Sequence, residues 1–284
     1  ASHLAQEASK MKQITIFMTA LFFTLSWSHL SHAVTDSGYT PICEGAFETG
    51  SVCRTTPERY EVVIYEMGVC TANPMSGSSF NRDVCSTTFT NTAGFTYDFA
   101  SVIGGKTELE GVSTRPANGT YKFPYMVMGT TFGLRASFFD GTNTYYSEAD
   151  QDLNTSGPSV NFSESLKNFG EDDPGDAGNT CDPEYLNAPV DVGTISAYIT
   201  NTTLVKPGAS DKETVSTGRG NKVLCTNADR LVGLITLTNP FTISADTINM
   251  QFNFNITNYG VQFFNEDADT VPNDVGSGPF SGSF

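Results

Sequence analysis

The chain has 284 residues, with 31 acidic against 15 basic side chains and a formal net charge of −16 at pH 7. A surface this acidic repels phosphates and anionic lipids, so we expect no nucleic-acid partner. The three histidines, His3, His29 and His32, all precede residue 34. Residues 34–284 therefore cannot build a histidine triad, a histidine general base or a histidine-ligated zinc site.

The N-terminal segment has the pattern of a secretory signal peptide. Met11 and Lys12 are followed by the apolar run 14–27 and, at the proposed cut, by the small residue Ala33. The run is shorter than the roughly 20 residues that a membrane-spanning helix needs. We expect residues 1–33 to be upstream sequence plus a cleaved signal peptide. The remainder is then secreted, extracellular or on the cell surface of a bacterial envelope, with no membrane span after cleavage.

Six cysteines remain in residues 34–284, and an even number in an exported chain indicates disulfides. No two of them form a CxxC motif, so neither a redox pair nor a thiolate metal site is expected. Several pairings are open in principle. The intervals along the chain favour three local pairs: Cys43 with Cys53, Cys70 with Cys85, and Cys181 with Cys225.

Strand patterns dominate the chain, and no window shows the apolar repeat of about 3.6 residues that marks a helix. RYEVVIYEM is rich in β-branched and aromatic residues, while FTYDFA, TFGLRASFF and GLITL alternate. FFDGTNTYY sets Asp140-Gly141 between two aromatic runs, which is a hairpin signal. We predict an all-β protein, an antiparallel two-layer β-sandwich with long polar loops and disulfides.

The composition shifts toward Asn, Ser, Thr, Gly and Asp at about residues 147–226. Such a stretch could link two domains, but a Cys181–Cys225 bond would tie it to the C-terminal part of the chain. We predict a loop-rich insertion within one sandwich of residues 34–264, and its most polar part, 171–184, is expected to be loop. Residues 265–284 are rich in Gly, Asp and Ser and are predicted to form an extended or mobile tail.

Four segments of the chain resemble the strands and turns of a known group of protein domains. YEVVIYEMGVC, GKTELEG, ANGTYKFPYMVM and NPFTISADTINMQFNFNI are similar, in this order, to exported bacterial β-sandwich domains with a transthyretin-like build. In that group a Gly-Thr-Tyr turn opens a strand, and a Pro-Phe-Thr-Ile segment leads into the last long strand. The similarity covers about residues 60–140 and 231–264. It implies one interrupted domain of a surface or envelope protein, and it implies no active site.

Carboxylates are the remaining candidates for binding a metal. Asp150, Asp152 and Asn154 alternate, which on a loop can turn three oxygens toward a hard cation such as calcium. An EF-hand would need glycine at Thr155 and an acidic residue at Asn161, so this is not an EF-hand. The alternative is a solvated acidic loop. Two further clusters have the same two interpretations: Glu171, Asp172, Asp173 and Asp176, and Glu266, Asp267, Asp269 and Asp274.

The segment INMQFNFNIT, residues 248–257, alternates throughout, and we predict one long half-buried strand. Its apolar side chains, from Ile248 to Ile256, would face the core. Its other face is a row of uncharged amides: Asn249, Gln251, Asn253 and Asn255. This row can be an ordinary outer face, an edge that pairs with a neighbouring subunit without burying charge, or a flat face that binds carbohydrate.

No motif locates a nucleophile, a base or a cofactor, so an enzyme is not expected. The first hypothesis is a secreted structural protein, a subunit of an extracellular filament, pilus-like fibre or surface layer. It would self-associate into a homopolymer by strand complementation or edge pairing, with calcium as a candidate stabiliser. The donor would be residues 34–56 or the tail after Asn265. The alternative hypothesis is a cell-surface adhesin or carbohydrate-binding module.

Overall fold

The computed structural model describes residues 16–17, 41–45, 52–169, 180–190, 192–208, 210–217, 220–265, 271–278 and 281–283. This part of the chain contains no α-helix, and its two short 3₁₀ helices are Arg82–Val84 and Phe99–Val102. No helix within it is long and apolar enough to cross a membrane. The all-β class predicted from the sequence is confirmed. Of the predicted signal segment, all but two residues lie outside the described ranges.

The described strands range from 2 to 14 residues, and every pairing between them is antiparallel. In chain order they are β1 (Ile16–Phe17), β2 (Val52–Thr55), β3 (Arg59–Cys70), β4 (Cys85–Asp98), β5 (Lys106–Thr107), β6 (Val112–Ser113), β7 (Gly119–Tyr121), β8 (Phe123–Gly129), β9 (Thr131–Arg135), β10 (Ser137–Phe139), β11 (Thr144–Ser147), β12 (Leu153–Asn154), β13 (Phe162–Ser165), β14 (Glu184–Val190), β15 (Gly193–Thr200), β16 (Lys212–Thr217), β17 (Gly220–Cys225), β18 (Arg230–Leu237), β19 (Phe241–Ile243), β20 (Asn253–Asn255), β21 (Val261–Phe264), β22 (Asp274–Ser277) and β23 (Ser281–Ser283).

Nine strands form the main sheet. Its path runs β13-β9-β3-β8-β18-β15-β14, with β4 paired to β3 and β6 paired to β4. The alternation at the start of β3 buries Tyr60, Val62 and Ile64, whose exposures are 0%, 1% and 0%. β8 and β9 follow one another along β3, because Met128 lies opposite Ile64 and Leu134 lies opposite Tyr60.

Smaller sheets cover one face of the main sheet. They are β2-β21-β22, β20-β23 and β10-β11-β12. The ring centroid of Phe254, in β20, lies 5.9 Å from that of Tyr60 and 4.3 Å from that of Phe99. Phe263 of β21 and Phe138 of β10 meet at 5.7 Å. Phe254 therefore joins the smaller sheets to the main sheet, and Phe263 and Phe138 join two of the smaller sheets, which is the two-layer packing of a β-sandwich.

The opposite face of the main sheet carries a second buried cluster, covered by the loop between Cys70 and Cys85. Met75 and Phe80 of this loop pack against side chains of β8, β15 and β18. The ring of Phe80 lies 4.8 Å from that of Tyr125. The main sheet is therefore buried on both faces in its central strands.

Three disulfides cross-link the described strands and loops. They are the three pairs that the cysteine intervals in the sequence favour. Cys43–Cys53 holds residues 41–45 against β2, and Cys70–Cys85 joins opposite positions of β3 and β4. Cys181–Cys225 ties the residues before β14 to the end of β17.

The stretch 147–226, predicted from the sequence to be a loop-rich insertion, contributes strands to the main sheet in the part that the structure describes. The strands β12 to β17 lie in this stretch, and β13, β14 and β15 belong to the main sheet. In β15, Ile199 packs into the larger core, which lies between the main sheet and the smaller sheets, and Tyr198 packs into the second cluster. The rest of this strand is mostly small or polar residues, such as Thr194, Ser196 and Ala197, so the sequence shows only a weak apolar alternation here. Of the predicted loop 171–184, residues 171–179 lie outside the described ranges, and Glu184 begins β14.

Where the structure describes the predicted extended or mobile tail, at residues 271–278 and 281–283, it contains two paired strands. β22 pairs with β21, and β23 pairs with β20. Val275 of β22 is 0% exposed and joins the larger core. One valine among glycine, serine and aspartate is too weak a pattern to predict these strands from sequence.

The ten-residue strand predicted for residues 248–257 is wrong. Only Asn253–Asn255 forms a strand. Phe252, Phe254 and Ile256 are buried, as the alternation predicts, but Ile248 is 67% exposed. No described strand pairs with residues 248–252. An alternating sequence buries one face only where a partner layer covers it, and that cover begins at Phe252.

Candidate functional site

A cleft of about 480 Å³ opens where β18 passes into β19, and we call it the Phe241 cleft. Its volume lies within the range typical of small-molecule sites. Five apolar residues line it: Val192, Leu237, Phe241, Ile243 and Met250. Six uncharged polar residues complete the lining: Thr238, Asn239, Thr242, Thr247, Asn249 and Gln251. None of the lining residues carries a charge, in a chain whose net charge is −16.

The first wall of the cleft is the turn from β18 to β19. The backbone N–H of Leu237 donates to the carbonyl of Lys122, and that of Thr238 donates to the carbonyl of Val192, both at 3.0 Å. Asn239-Pro240 then breaks the strand, because proline has no N–H to donate. β19 restarts the pairing with Phe241 opposite Tyr121 of β7.

The second wall begins with a tight turn at residues 244–247. The Thr247 hydroxyl oxygen accepts from the backbone N–H of Ser244 at 3.0 Å, and the N–H of Thr247 donates to the Ser244 carbonyl at 3.0 Å. The Arg115 guanidinium donates to the same carbonyl at 2.6 Å. This turn directs the following residues, which include Asn249 and Met250, along the cleft.

The floor of the cleft is a small apolar cluster. Ile243 is 2% exposed and packs with Val69 and Tyr121, and Phe241 and Met250 pack against this group. The rings of Phe241 and Tyr121 have centroids 6.1 Å apart. Phe241 is thus held in place by a strand pairing and a ring contact, so its ring is a fixed apolar surface.

The polar side chains of the cleft differ in how they are engaged. The hydroxyls of Thr242 and Thr120 lie 3.0 Å apart, and the Gln251 amide nitrogen donates to the Asn253 side-chain oxygen at 2.6 Å. Asn239 and Asn249 are exposed, and neither side chain bonds to another residue in the part of the chain that the structure describes. Each offers two N–H donors and one carbonyl acceptor to a ligand.

The predicted amide row is divided by the structure. Asn249 and Gln251 line the Phe241 cleft. Asn253 receives the bond from Gln251, and the side-chain oxygen of Asn255 accepts from the backbone N–H of Thr257 at 3.0 Å. Half of the row, Asn249 and Gln251, therefore lines a cavity. The other half, Asn253 and Asn255, lies in the three-residue strand β20.

The predicted calcium ligands occupy a turn and a short strand. Asp150 and Asp152 are exposed. The Asn154 amide nitrogen donates to Glu148 at 2.7 Å, and its oxygen accepts from the backbone N–H of Ser156 at 2.9 Å. Within the described ranges no three His, Cys, Asp or Glu side chains are grouped as metal ligands. Calcium binding by Asp150, Asp152 and Asn154 stays a prediction.

The other acidic clusters lie largely outside the described residues. This holds for Glu171, Asp172, Asp173 and Asp176, and for Glu266, Asp267 and Asp269. Asp274 is described, and its backbone bridges to Asp152. The fold thus brings one residue of the third cluster beside the first.

Most of the cleft was not predicted from the sequence. Asn239, Phe241, Thr242 and Thr247 entered only as part of a segment that carries a turn-and-strand resemblance, and none of them was named as a site residue. The available signal was Asn239-Pro240, which marks a turn between two strands. It could not show that residues 247–251 fold back onto that turn, because this depends on the pairing of β19 with β7.

No family model, curated protein or solved structure matches the chain. The resemblance to transthyretin-like exported domains stays a prediction. A function is therefore inferred from the geometry and chemistry of the cleft alone.

Proposed function

We propose that this protein is a secreted or cell-surface carbohydrate-binding module, of the kind found in adhesins, and that the Phe241 cleft is its binding site. The single observation that supports this proposal most strongly is the lining. Amides, hydroxyls and one aromatic ring surround a cavity without any charge, although the chain is strongly acidic.

A sugar needs these two kinds of surface. Its hydroxyls both donate and accept hydrogen bonds, as the side chains of Asn239 and Asn249 do. Its ring also has an apolar C–H face, which the face of Phe241 can cover. A few polar groups that fix orientation above an apolar floor are typical of small-molecule sites.

The test is retention of the protein, produced from Val34 onward, on immobilised polysaccharides. We expect retention on at least one neutral polysaccharide, and we expect Phe241→Ala to abolish it. Phe139→Ala is the matched control, because Phe139 is 59% exposed and does not line the cleft. Melting curves check that both variants are folded. Equal retention of the parent and a folded Phe241→Ala variant would contradict the proposal.

The proposed location outside the cytoplasm is supported by the three disulfides, since such bonds persist in oxidising compartments. The signal segment predicts cleavage after Ala33. Expression of the full chain in a bacterium, followed by N-terminal sequencing of the exported protein, tests this. We expect Val34 as the first residue, whereas protein retained in the cytoplasm would contradict the location.

A second candidate function is the filament subunit. The hypothetical acceptor, in the amide segment, and the hypothetical donor, after Asn265, pair with each other as β20 and β23 within this chain. A pairing within one chain can also form between chains when copies exchange the same strand. A filament subunit is expected to form filaments, visible by electron microscopy, and to scatter more light at high concentration, with and without calcium. A chain lacking residues 279–284 should stay monomeric, and a monomeric parent would contradict this candidate.

A further inference from the structure

We infer that the Phe241 cleft selects neutral sugars over acidic and amino sugars, and that Asn239 and Asn249 determine this selection. The inference rests on the proposed function, since it assigns a ligand class to the same cleft. The observation that supports it is that the side-chain amides of Asn239 and Asn249 are unengaged and lie in an uncharged lining.

The two asparagines come from the two chain segments that line the cleft. Asn239 follows β18 in the first wall, and Asn249 follows the turn 244–247 in the second. A ring held against Phe241 lies between segments that each present donors and an acceptor. The polar groups can therefore bond hydroxyls on more than one side of the ring.

The chemistry of the amides disfavours a charged ligand. A carboxylate only accepts hydrogen bonds, so it cannot pair with an amide carbonyl that faces it, and the two groups repel each other. An ammonium group only donates, which leaves the amide N–H groups without a partner. A hydroxyl can do both, so it alone uses the full capacity of Asn239 and Asn249.

The electrostatics of the cleft act in the same direction. A charged group that leaves water needs a partner of opposite charge, and no lining residue supplies one. The Arg115 guanidinium, which contacts the turn of the second wall, donates to the Ser244 carbonyl at 2.6 Å, to the Asn118 side chain at 2.8 Å and to the Pro116 carbonyl at 3.0 Å. The net charge of −16 adds a repulsion for acidic glycans that salt screens.

The experiment compares matched sugars. Oligosaccharides built from glucose, galactose or mannose are titrated against the protein by calorimetry, together with the uronate and amino analogue of each. We expect at least one neutral oligosaccharide to bind, and we expect its two charged analogues to bind at least about tenfold more weakly, a difference worth one unpaired polar group.

Variants then assign the selection. Asn239→Ala and Asn249→Ala are each expected to weaken binding of the neutral sugar about tenfold, the loss from one or two hydrogen bonds. Asn249→Asp should weaken it as well, because the carboxylate cannot donate. Asn161→Ala is the control, since Asn161 is exposed outside the cleft and should leave affinity unchanged.

The outcomes separate the inference from the proposed function. If no sugar of any charge binds, the proposed function fails, and this inference fails with it. If a uronate or amino sugar binds as tightly as its neutral analogue, only the selection is overturned. If Asn239→Ala and Asn249→Ala both leave a neutral sugar bound with parental affinity, the assignment of these residues is overturned.

Discussion

The Glu66 carboxylate and the Arg82 guanidinium form a two-point ion pair, with N–O distances of 2.7 and 3.0 Å. The same carboxylate accepts from the Tyr125 hydroxyl at 2.6 Å. Burial, and next the negative charge of Glu66, raise the pKa of Tyr125 well above its ordinary value. These bonds join β3, β8 and the loop between Cys70 and Cys85 on the face of the main sheet that this loop covers.

Removal of the Glu66 carboxylate should destabilise the fold more than removal of Arg82. The Glu66 side chain is 12% exposed and the Arg82 side chain is 57% exposed. We expect Glu66→Ala to lower the free energy of unfolding by about 2 kcal/mol, since it deprives the buried Tyr125 of a charged acceptor. Arg82→Ala should cost about 1 kcal/mol or less. Urea unfolding measures both, and the reverse order would contradict this account of the network.

The disulfides should differ in what they contribute. Cys181–Cys225 closes a separation of 44 residues, whereas Cys43–Cys53 closes one of 10. In the chain-entropy account the longer loop restricts the unfolded chain more, so we expect losses of about 4 and about 3 kcal/mol for the paired serine variants. Denaturant unfolding under non-reducing conditions tests this. A larger loss for the Cys43–Cys53 variant would show that native-state packing outweighs the entropy term.

Phe254 and Ile248 test where the alternating segment stops being a core strand. Phe254 is 1% exposed and packs against the rings of Tyr60 and Phe99, while Ile248 is 67% exposed. We expect Phe254→Ala to cost about 4 kcal/mol, as for other buried aromatic truncations. Ile248→Ala should change stability by no more than about 0.5 kcal/mol. If the two variants lose comparable stability, Ile248 is buried in solution and the long strand would be correct.

These two residues also show what the sequence can and cannot predict. Alternation predicts which residues face the core if a strand has a partner layer, and it is right from Phe252 to Ile256. It contains no information on where that layer ends, so it fails at Ile248. For β15 the failure is the opposite. Small and polar residues conceal a strand that is paired on both edges, with β14 and with β18.

The same limit applies to the cleft. The amide row correctly drew attention to Asn249 and Gln251, because uncharged polar residues stand out in an acidic chain. Asn239 and Phe241 belong to a different strand connection, and only the three-dimensional pairing of β7 with β19 brings both segments together. The disulfide partners were easier to predict, since each cysteine pairs with its neighbouring cysteine along the chain.

Asp140 should make stability depend on pH. Its carboxylate accepts from the backbone N–H groups of Asn143 and Thr142, both at 2.7 Å, at the tip of the β10–β11 hairpin. The bond from Asn143, more than the others, lowers the pKa of Asp140 below its ordinary value. A depressed folded-state pKa stabilises the fold above the unfolded-state pKa, and this contribution is lost as the pH falls through the folded-state value.

We therefore expect Asp140→Ala to be less stable than the parent at pH 7, and we expect the difference to shrink between pH 4 and pH 2. Denaturant unfolding across this interval gives the measurement. Asp150→Ala, an exposed carboxylate on the following turn, is the control and should change stability little at either pH. A deficit for Asp140→Ala that is the same at pH 2 and pH 7 would show that the charge of Asp140 is not what stabilises the turn.

Whether the Phe241 cleft binds carbohydrate is tested most directly by a nuclear magnetic resonance titration. The protein from Val34 onward is titrated with the neutral oligosaccharide that binds most tightly. We expect the side-chain amide signals of Asn239 and Asn249 and the backbone signals of residues 238–251 to shift together as sugar is added. Shifts confined to another surface, or none at saturating sugar, would show that the Phe241 cleft is not a carbohydrate site.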